Sequence, residues 1–199
     1  MSSSTSPVLL FDVMSTLVYD PIHREIPAFF DLSLEELYEH KHPTAWVEFE
    51  RGEMSEQAFY DCYFPGRAES IDGAALRRLL YDSYRWIDEM QPLLAGLADA
   101  DLEIHTLSNY PTWYEIIEDK LRLSRYLQWT FVSCLTGVRK PDERAYRRVL
   151  TTLDIAAENC LFVDDRAINC EAARKLGMDA ILFRDATDLR DALRRRKLL

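Results

Sequence analysis

The stretch VLLFDVMSTLVYDP, residues 8–21, decides how the rest of the chain is read. Its first four residues are apolar, a run suited to a short strand buried on both faces. The run stops at the carboxylate of Asp12, and Met14 stands two residues beyond. A buried strand that delivers an acid to its carboxyl end raises the question of what that acid meets there.

Four further apolar runs stand out as strand candidates. After PVLLFD, which ends at Asp12, come LEIHTLS ending at Ser108, WTFVSC at Cys134, CLFVDD at Asp165 and DAILF at Phe183. Between the last four lie segments with helical spacing: PTWYEIIEDKLRL, DERAYRRVLTTL, and AINCEAARKLG with Gly177 as its stop. Alternating strands and helices predict an α/β fold, a parallel sheet with helices on both faces.

One interval breaks this rhythm. From Pro21 to about Met90 no strand pattern occurs, only amphipathic helical pieces (LSLEELYEH, PTAWVEFERG, SEQAFYDCYF, AALRRLLYDSYRW) punctuated by Pro43, Gly52, Pro65 and Gly73. The expected organisation is a core of residues 1–20 and 90–199, with a small α-helical cap of residues 21–89 over the carboxyl end of the first strand.

Composition narrows the function. A chain of 199 residues, 48% hydrophobic, can bury one good core. Its net charge of −10 would repel a phosphate backbone, so nucleic acid is not an expected partner. The basic run LRRRKLL suits a helix C-terminus instead. Cys62, Cys134, Cys160 and Cys170 form no C-x-x-C pair, which argues against a zinc site or a disulfide framework. No run approaches the roughly 18 apolar residues of a membrane span, and MSSSTSP lacks the apolar region of a signal peptide. A soluble, intracellular protein without a membrane partner is expected; dimerisation stays open.

In open parallel sheets, ligands bind outside the carboxyl ends of the strands. Those ends carry Asp12, Ser108 with Asn109, and the Asp164-Asp165 pair, while TGVRKPD after the third strand brings Lys140. Gathered carboxylates repel unless a cation joins them, and hard oxygen donors suit Mg²⁺. The Lys140 ammonium can neutralise phosphate oxygens. Asp12 can attack phosphorus to form an aspartyl-phosphate, with Ser108 and the Asn109 N–H donating to the transferring oxygens. A turn explains any one of these residues; four complementary groups on one rim point to a site.

Asp12 in FDVMSTL, Ser108 in TLSNYP, Lys140 in GVRKPDERAY and Asp164-Asp165 in LFVDDRAINCEAARKLGM resemble the four ordered motifs of the haloacid dehalogenase-like hydrolases. The resemblance spans about residues 8–184 and implies a Rossmann-like core, an aspartate nucleophile, Mg²⁺ and a helical cap after the first motif. Phosphatases of this superfamily usually carry a second Asp two residues after the nucleophile, which protonates the leaving oxygen and later activates water. Met14 stands there, and Met cannot transfer a proton.

Three readings compete. Members similar to 2-haloacid dehalogenases also lack the second Asp, but they lack the paired acids that Asp164 and Asp165 supply. A non-catalytic binding protein is the second reading. The third is a phosphatase whose proton comes from elsewhere. FDVMSTLVYDP, IPAFF, KHPTAWVEFERG and EIHTLSNYPTWYEIIEDKL resemble the plastid flavin mononucleotide (FMN) hydrolases of plants, Met included. That resemblance implies FMN as the favoured phosphate ester, with other small phosphomonoesters as the alternative, and a plastid; with no transit peptide visible, the expected location is the cytoplasm or plastid stroma.

The Met14 carbonyl remains available as a metal ligand beside Asp12, Asp164 and Asp165. Ser15, Asp20 and His23 are the nearest substitute proton carriers, whereas His105 reads as a sheet-face residue. A flavin ring needs a flat aromatic surface. Phe29, Phe30, Trp46, Phe49, Tyr60, Tyr63, Phe64, Trp113 and Tyr114 are mostly core by their spacing, and Tyr110, directly after Ser108-Asn109, is the expected ligand contact. His40 and His42 read as solvated rather than metal-binding, and Asn169 as orienting the acidic loop or capping the helix that begins near Ala167.

Overall fold

The computed structural model describes residues 6–66 and 69–199. Strands β1 (Val8–Phe11), β2 (Ile104–Ser108), β3 (Gln128–Val132), β4 (Cys160–Asp164) and β5 (Asp179–Leu182) form one sheet in the order β3-β2-β1-β4-β5, all parallel. The chain steps from β1 outward through β2 to β3, then returns to the other side of β1 with β4. The strand order therefore reverses between β1 and β4, where ligand crevices form in open α/β sheets.

Eleven α-helices occur among the described residues. Five form the insertion after β1: α1 (Glu25–Phe29), α2 (Leu34–His40), α3 (Ala45–Glu50), α4 (Glu56–Cys62) and α5 (Gly73–Ser83). The others are α6 (Met90–Asp99), α7 (Tyr114–Leu121), α8 (Ser133–Thr136), α9 (Glu143–Leu153), α10 (Ala167–Lys175) and α11 (Ala186–Arg195). All five predicted strands are present, but the third ends sooner than its apolar run: Ser133 and Cys134 open α8 instead. Apolarity there marks burial, not extended backbone.

The sheet is buried on both faces. Leu9 and Phe11 of β1 face a cluster with Leu94 and Leu97 of α6, Ile117 of α7 and Leu193 of α11. Val8 and Leu10 point the other way, toward Tyr146 and Val149 of α9 and Cys170 and Ala173 of α10. Each such Leu or Phe contributes about 1.5–3 kcal/mol on burial. Gly177, at φ +89°, stops α10 as expected, with its N–H on the Arg174 carbonyl (2.9 Å) and the Met178 N–H on that of Ala173 (3.2 Å).

The helical insertion leaves and rejoins the sheet through two paired segments. The Tyr19 N–H donates to the Arg85 carbonyl and that of Ile87 to Leu17, both at 2.9 Å. Phe49 of α3 stacks on Phe59 of α4 at 4.8 Å, and Trp113, which follows β2, meets both edge-on at 5.3 and 5.7 Å. The insertion thus shares one continuous apolar cluster with the sheet. Among the described residues no helix is long and apolar enough to cross a membrane.

Candidate active site

Asp12 directly follows β1, and its N–H donates to the Val163 carbonyl of β4 at 2.9 Å, which pins it at the strand-order reversal. Asp164 ends β4 and Asp165 follows. Carboxylate oxygens of the three acids lie within 4.8 Å of one another. Lys140, only 2% exposed, enters from the loop after α8. Its Nζ lies 2.9 Å from Asp12 Oδ1 and donates to Asp164 Oδ2 at 2.5 Å.

Two asparagines hold this arrangement. Asn109 donates from Nδ2 to the Lys140 carbonyl (2.9 Å) and accepts the Lys140 N–H at Oδ1 (2.8 Å), fixing the lysine loop to the end of β2. Asn169, in the first turn of α10, donates Nδ2 to both oxygens of Asp164, at 3.0 and 3.1 Å, while the Arg166 N–H reaches Oδ1 at 2.8 Å. Asn169 thus orients the acidic loop, one of the two roles expected of it. Asp164 is fully buried with both oxygens engaged, whereas Asp12 and Asp165 face the cavity.

The electrostatics follow from three acids sharing one ammonium. Burial pushes the Asp12 carboxyl well up; Lys140 opposes the rise and Asp164 adds to it. Asp165 is raised too, by burial and then by Asp164. Burial alone would lower the Lys140 pKa, but Asp12 and Asp164 hold it above its ordinary value. The surplus negative charge and the purely oxygen donor set fit a hard divalent cation such as Mg²⁺.

Above these groups lies a cavity of about 430 Å³. Asp12, Asp165, Asn109 and Lys140 line it from the sheet side, and Met14, Ser15, Asp20, His23, Tyr38, Trp46, Glu50 and Tyr63 from the linker and insertion. Asp20 also accepts the Ile22 N–H at 3.0 Å, and burial raises its pKa. Ser108 is buried, its hydroxyl has no hydrogen-bond partner, and it is not part of the cavity wall.

The aromatics divide. Tyr110 lines the cavity beside Trp46, but its hydroxyl is tied to Tyr84 at 2.5 Å. Phe29, Phe30, Tyr60 and Phe64 line a separate cavity of about 280 Å³, and Tyr114 packs on Trp129 at 5.2 Å. His105 lies on the sheet between Thr130 (2.7 Å) and Glu103 (2.8 Å). His40 contacts the Glu36 carbonyl through Nδ1, and His42 Nδ1 accepts the Ala45 N–H at 3.1 Å. Glu50 and Arg139 also line the cavity and were missed: Glu50 looks like any acid on an amphipathic helix, although Arg139 could have been suspected as the neighbour of Lys140.

Residues 7–177 match the family model of the haloacid dehalogenase-like hydrolases. The chain belongs to this family. This hydrolase is 45% identical over 184 residues to flavin mononucleotide hydrolase 1 of Arabidopsis thaliana, covering 92% of this chain and 74% of that one. It is 29% identical to a sesquiterpene phosphatase of Aspergillus oryzae, over 78% of this chain and 80% of the relative. In fold it resembles a haloacid dehalogenase family enzyme from Bacteroides thetaiotaomicron, with TM-score 0.80 and 18% identity over 96% of this chain and 99% of that one. The same Bacteroides enzyme in complex with magnesium and inorganic phosphate aligns at TM-score 0.73 and 17% identity, over 92% and 96% of the two chains.

Proposed function

We propose that this hydrolase is a Mg²⁺-dependent phosphatase that converts FMN to riboflavin and phosphate. The observation that carries the reading is the Lys140 ammonium between Asp12 and Asp164, with Asp165 alongside, at the base of the cavity. The identity to the Arabidopsis FMN hydrolase supports the substrate. The magnesium and phosphate complex of the Bacteroides enzyme supports the cation.

In this mechanism Asp12 attacks phosphorus, the bond from phosphorus to the riboflavin oxygen breaks as that oxygen takes a proton from the cavity, where Ser15, Asp20 and His23 are the candidate carriers, and an aspartyl-phosphate forms. Water then attacks phosphorus, releases phosphate and restores Asp12. Lys140 neutralises charge on the phosphoryl oxygens and opposes the rise that burial imposes on the Asp12 carboxyl. The Asn109 N–H would donate to the same oxygens, and Asn109 also holds the lysine loop; the Ser108 hydroxyl, buried and unpartnered outside the cavity wall, would have to turn toward them to do the same. Asp12, Asp165 and the Met14 carbonyl, with Asp164, would hold Mg²⁺, which when bound offsets the charge that builds on the phosphoryl group. Residues 21–89 act as a cap whose movement on the paired Leu17–Tyr19 and Arg85–Ile87 segments admits substrate. Tyr110 and Trp46 offer faces to the flavin, and a cytoplasmic or plastid location completes the proposal.

Phosphate release from FMN, with Mg²⁺ and with excess chelator, tests it beside an Asp12→Asn control. Metal-dependent release lost in the control supports the reading. No release from FMN or from a panel of small phosphomonoesters would leave a binding protein instead.

A further inference from the structure

We propose that Glu50 and Arg139 form a hydroxyl-reading pair that selects phosphomonoesters of polyol chains, a specificity role that rests on the phosphatase reading above. Glu50 ends α3 and is 5% exposed, yet it lines the cavity. Its Oε1 accepts the Trp46 indole N–H at 2.8 Å. Its Oε2 lies 2.9 Å from Arg139 Nε, but the N–H is not aimed at it, and both atoms are buried without a hydrogen-bond partner. A buried carboxylate oxygen therefore sits in ion-pair contact with a buried guanidinium N–H that does not point at it, so each keeps an unused hydrogen-bonding direction in side chains that line the cavity.

This carboxylate is not the only link between the two segments. The backbone already joins α3 to α8: the Ser133 hydroxyl donates to the Glu50 carbonyl at 2.5 Å, and Gly52 packs directly against the Cys134 carbonyl. Burial lifts the Glu50 carboxyl to about 7 even though Arg139 and the Trp46 hydrogen bond oppose the rise. Ionised Glu50 is thus a burden on stability, which is common where a group serves binding.

The chemistry selects the ligand group. An ammonium would be repelled by Arg139 and a second phosphate by Glu50. A hydroxyl suits both, since its O–H can donate to Oε2 while its lone pair accepts from Arg139 Nε. Arg139 immediately precedes Lys140, so the pair borders the place where the phosphoryl group would be held. The hydroxyl it reads belongs to the alcohol close to the phosphate, as on the ribityl chain of FMN.

Glycerol 3-phosphate and n-propyl phosphate share chain length and have similar leaving oxygens but differ in hydroxyls. With Mg²⁺ present, the wild-type chain is expected to favour glycerol 3-phosphate by about tenfold or more in kcat/KM, chiefly through KM, as a charge-assisted hydrogen bond provides. Glu50→Gln and Arg139→Met should each reduce that ratio at least severalfold. Equal losses on both esters in the variants would overturn the proposal, because a proton-transfer or structural role would not discriminate between them. A wild-type chain that does not prefer the hydroxylated ester overturns it whatever the variants do. Failure of the phosphatase reading itself looks different: the wild type would hydrolyse neither ester, nor FMN.

Discussion

The ammonium of Lys140 stands 2.9 Å from the carboxylate of Asp12, with the lysine side chain almost wholly buried. The same Nζ serves Asp164, so one cation supports two buried acids. Removing one partner of a buried ion pair leaves an uncompensated charge and costs about 3–5 kcal/mol. Lys140→Met is therefore expected to lower Tm by about 6–20 °C, besides abolishing phosphate release. A Tm within 2 °C of wild type in thermal unfolding would show that the pair does not support the fold.

Asp12 and Asp165 both have carboxyls raised by burial, so a bound cation should stabilise the folded chain. Saturating Mg²⁺ is expected to stabilise the fold by about 2.7 kcal/mol at a hundred times Kd, and so to raise Tm over the chelator-treated protein, and Asp165→Asn should shrink that gain. Asp12→Asn replaces a desolvated carboxylate with a neutral isostere. Its metal-free form should be at least as stable as wild type while inactive. Calorimetry of the three proteins with and without chelator decides the matter; a Tm indifferent to Mg²⁺ would argue against the metal site.

Glu56 of α4 ties the helical insertion to the segment after β2. It accepts the Trp113 indole N–H at 2.5 Å, the Tyr60 hydroxyl at 2.5 Å and Arg77 NH1 at 2.9 and 3.0 Å. Burial alone would raise its pKa, but these three donors outweigh burial and lower it. A carboxyl depressed in the folded state stabilises above its unfolded pKa and loses that contribution as pH falls through the folded value. Glu56→Gln should thus cost about 1–2 kcal/mol at pH 7, and the gap to wild type should close as pH drops below about 4. Denaturation midpoints of both proteins across that range give the answer; a gap independent of pH would contradict the assignment.

Gly52, at φ +70°, follows α3 where the insertion meets α8. A Cβ there would lie 2.4 Å from the Cys134 carbonyl oxygen, an impossible contact with rigid backbone. Gly52→Ala should destabilise by about 2 kcal/mol or more, since it adds left-handed strain to a steric clash. It should also disturb kcat/KM, because Glu50 lies two residues away. A neutral effect on urea unfolding would mean that the seam between α3 and α8 yields easily.

Much of this molecule was legible in its sequence, for reasons that differ by residue. The central strands β1 and β4 announced themselves as apolar runs because a strand covered on both faces has no polar side to interrupt it. Asp12, Asp164 and Lys140 were legible because they follow such runs closely, where a parallel sheet presents its ligands. The early end of β3 was not, because Ser133 and Cys134 continue the buried run while their backbone already turns into α8.

The aromatics show the limit most clearly. Spacing marked Phe49 and Trp113 as buried, but not that they would meet Phe59 in one cluster joining α3, α4 and the segment after β2. Glu50 and Arg139 are 89 positions apart in the chain, and although Arg139 adjoins Lys140, nothing local distinguishes Glu50 from a solvated charge or pairs the two. The sequence by itself determined the strands, the helical insertion and the chemical set of the site, because periodicity and strand-end chemistry act within a few residues. Only the tertiary structure decided the strand order, the partners of each carboxylate and the wall of the cavity. Those depend on which distant surfaces exclude water together, and in that dry environment a misplaced charge or an unpaired oxygen acquires its energetic weight.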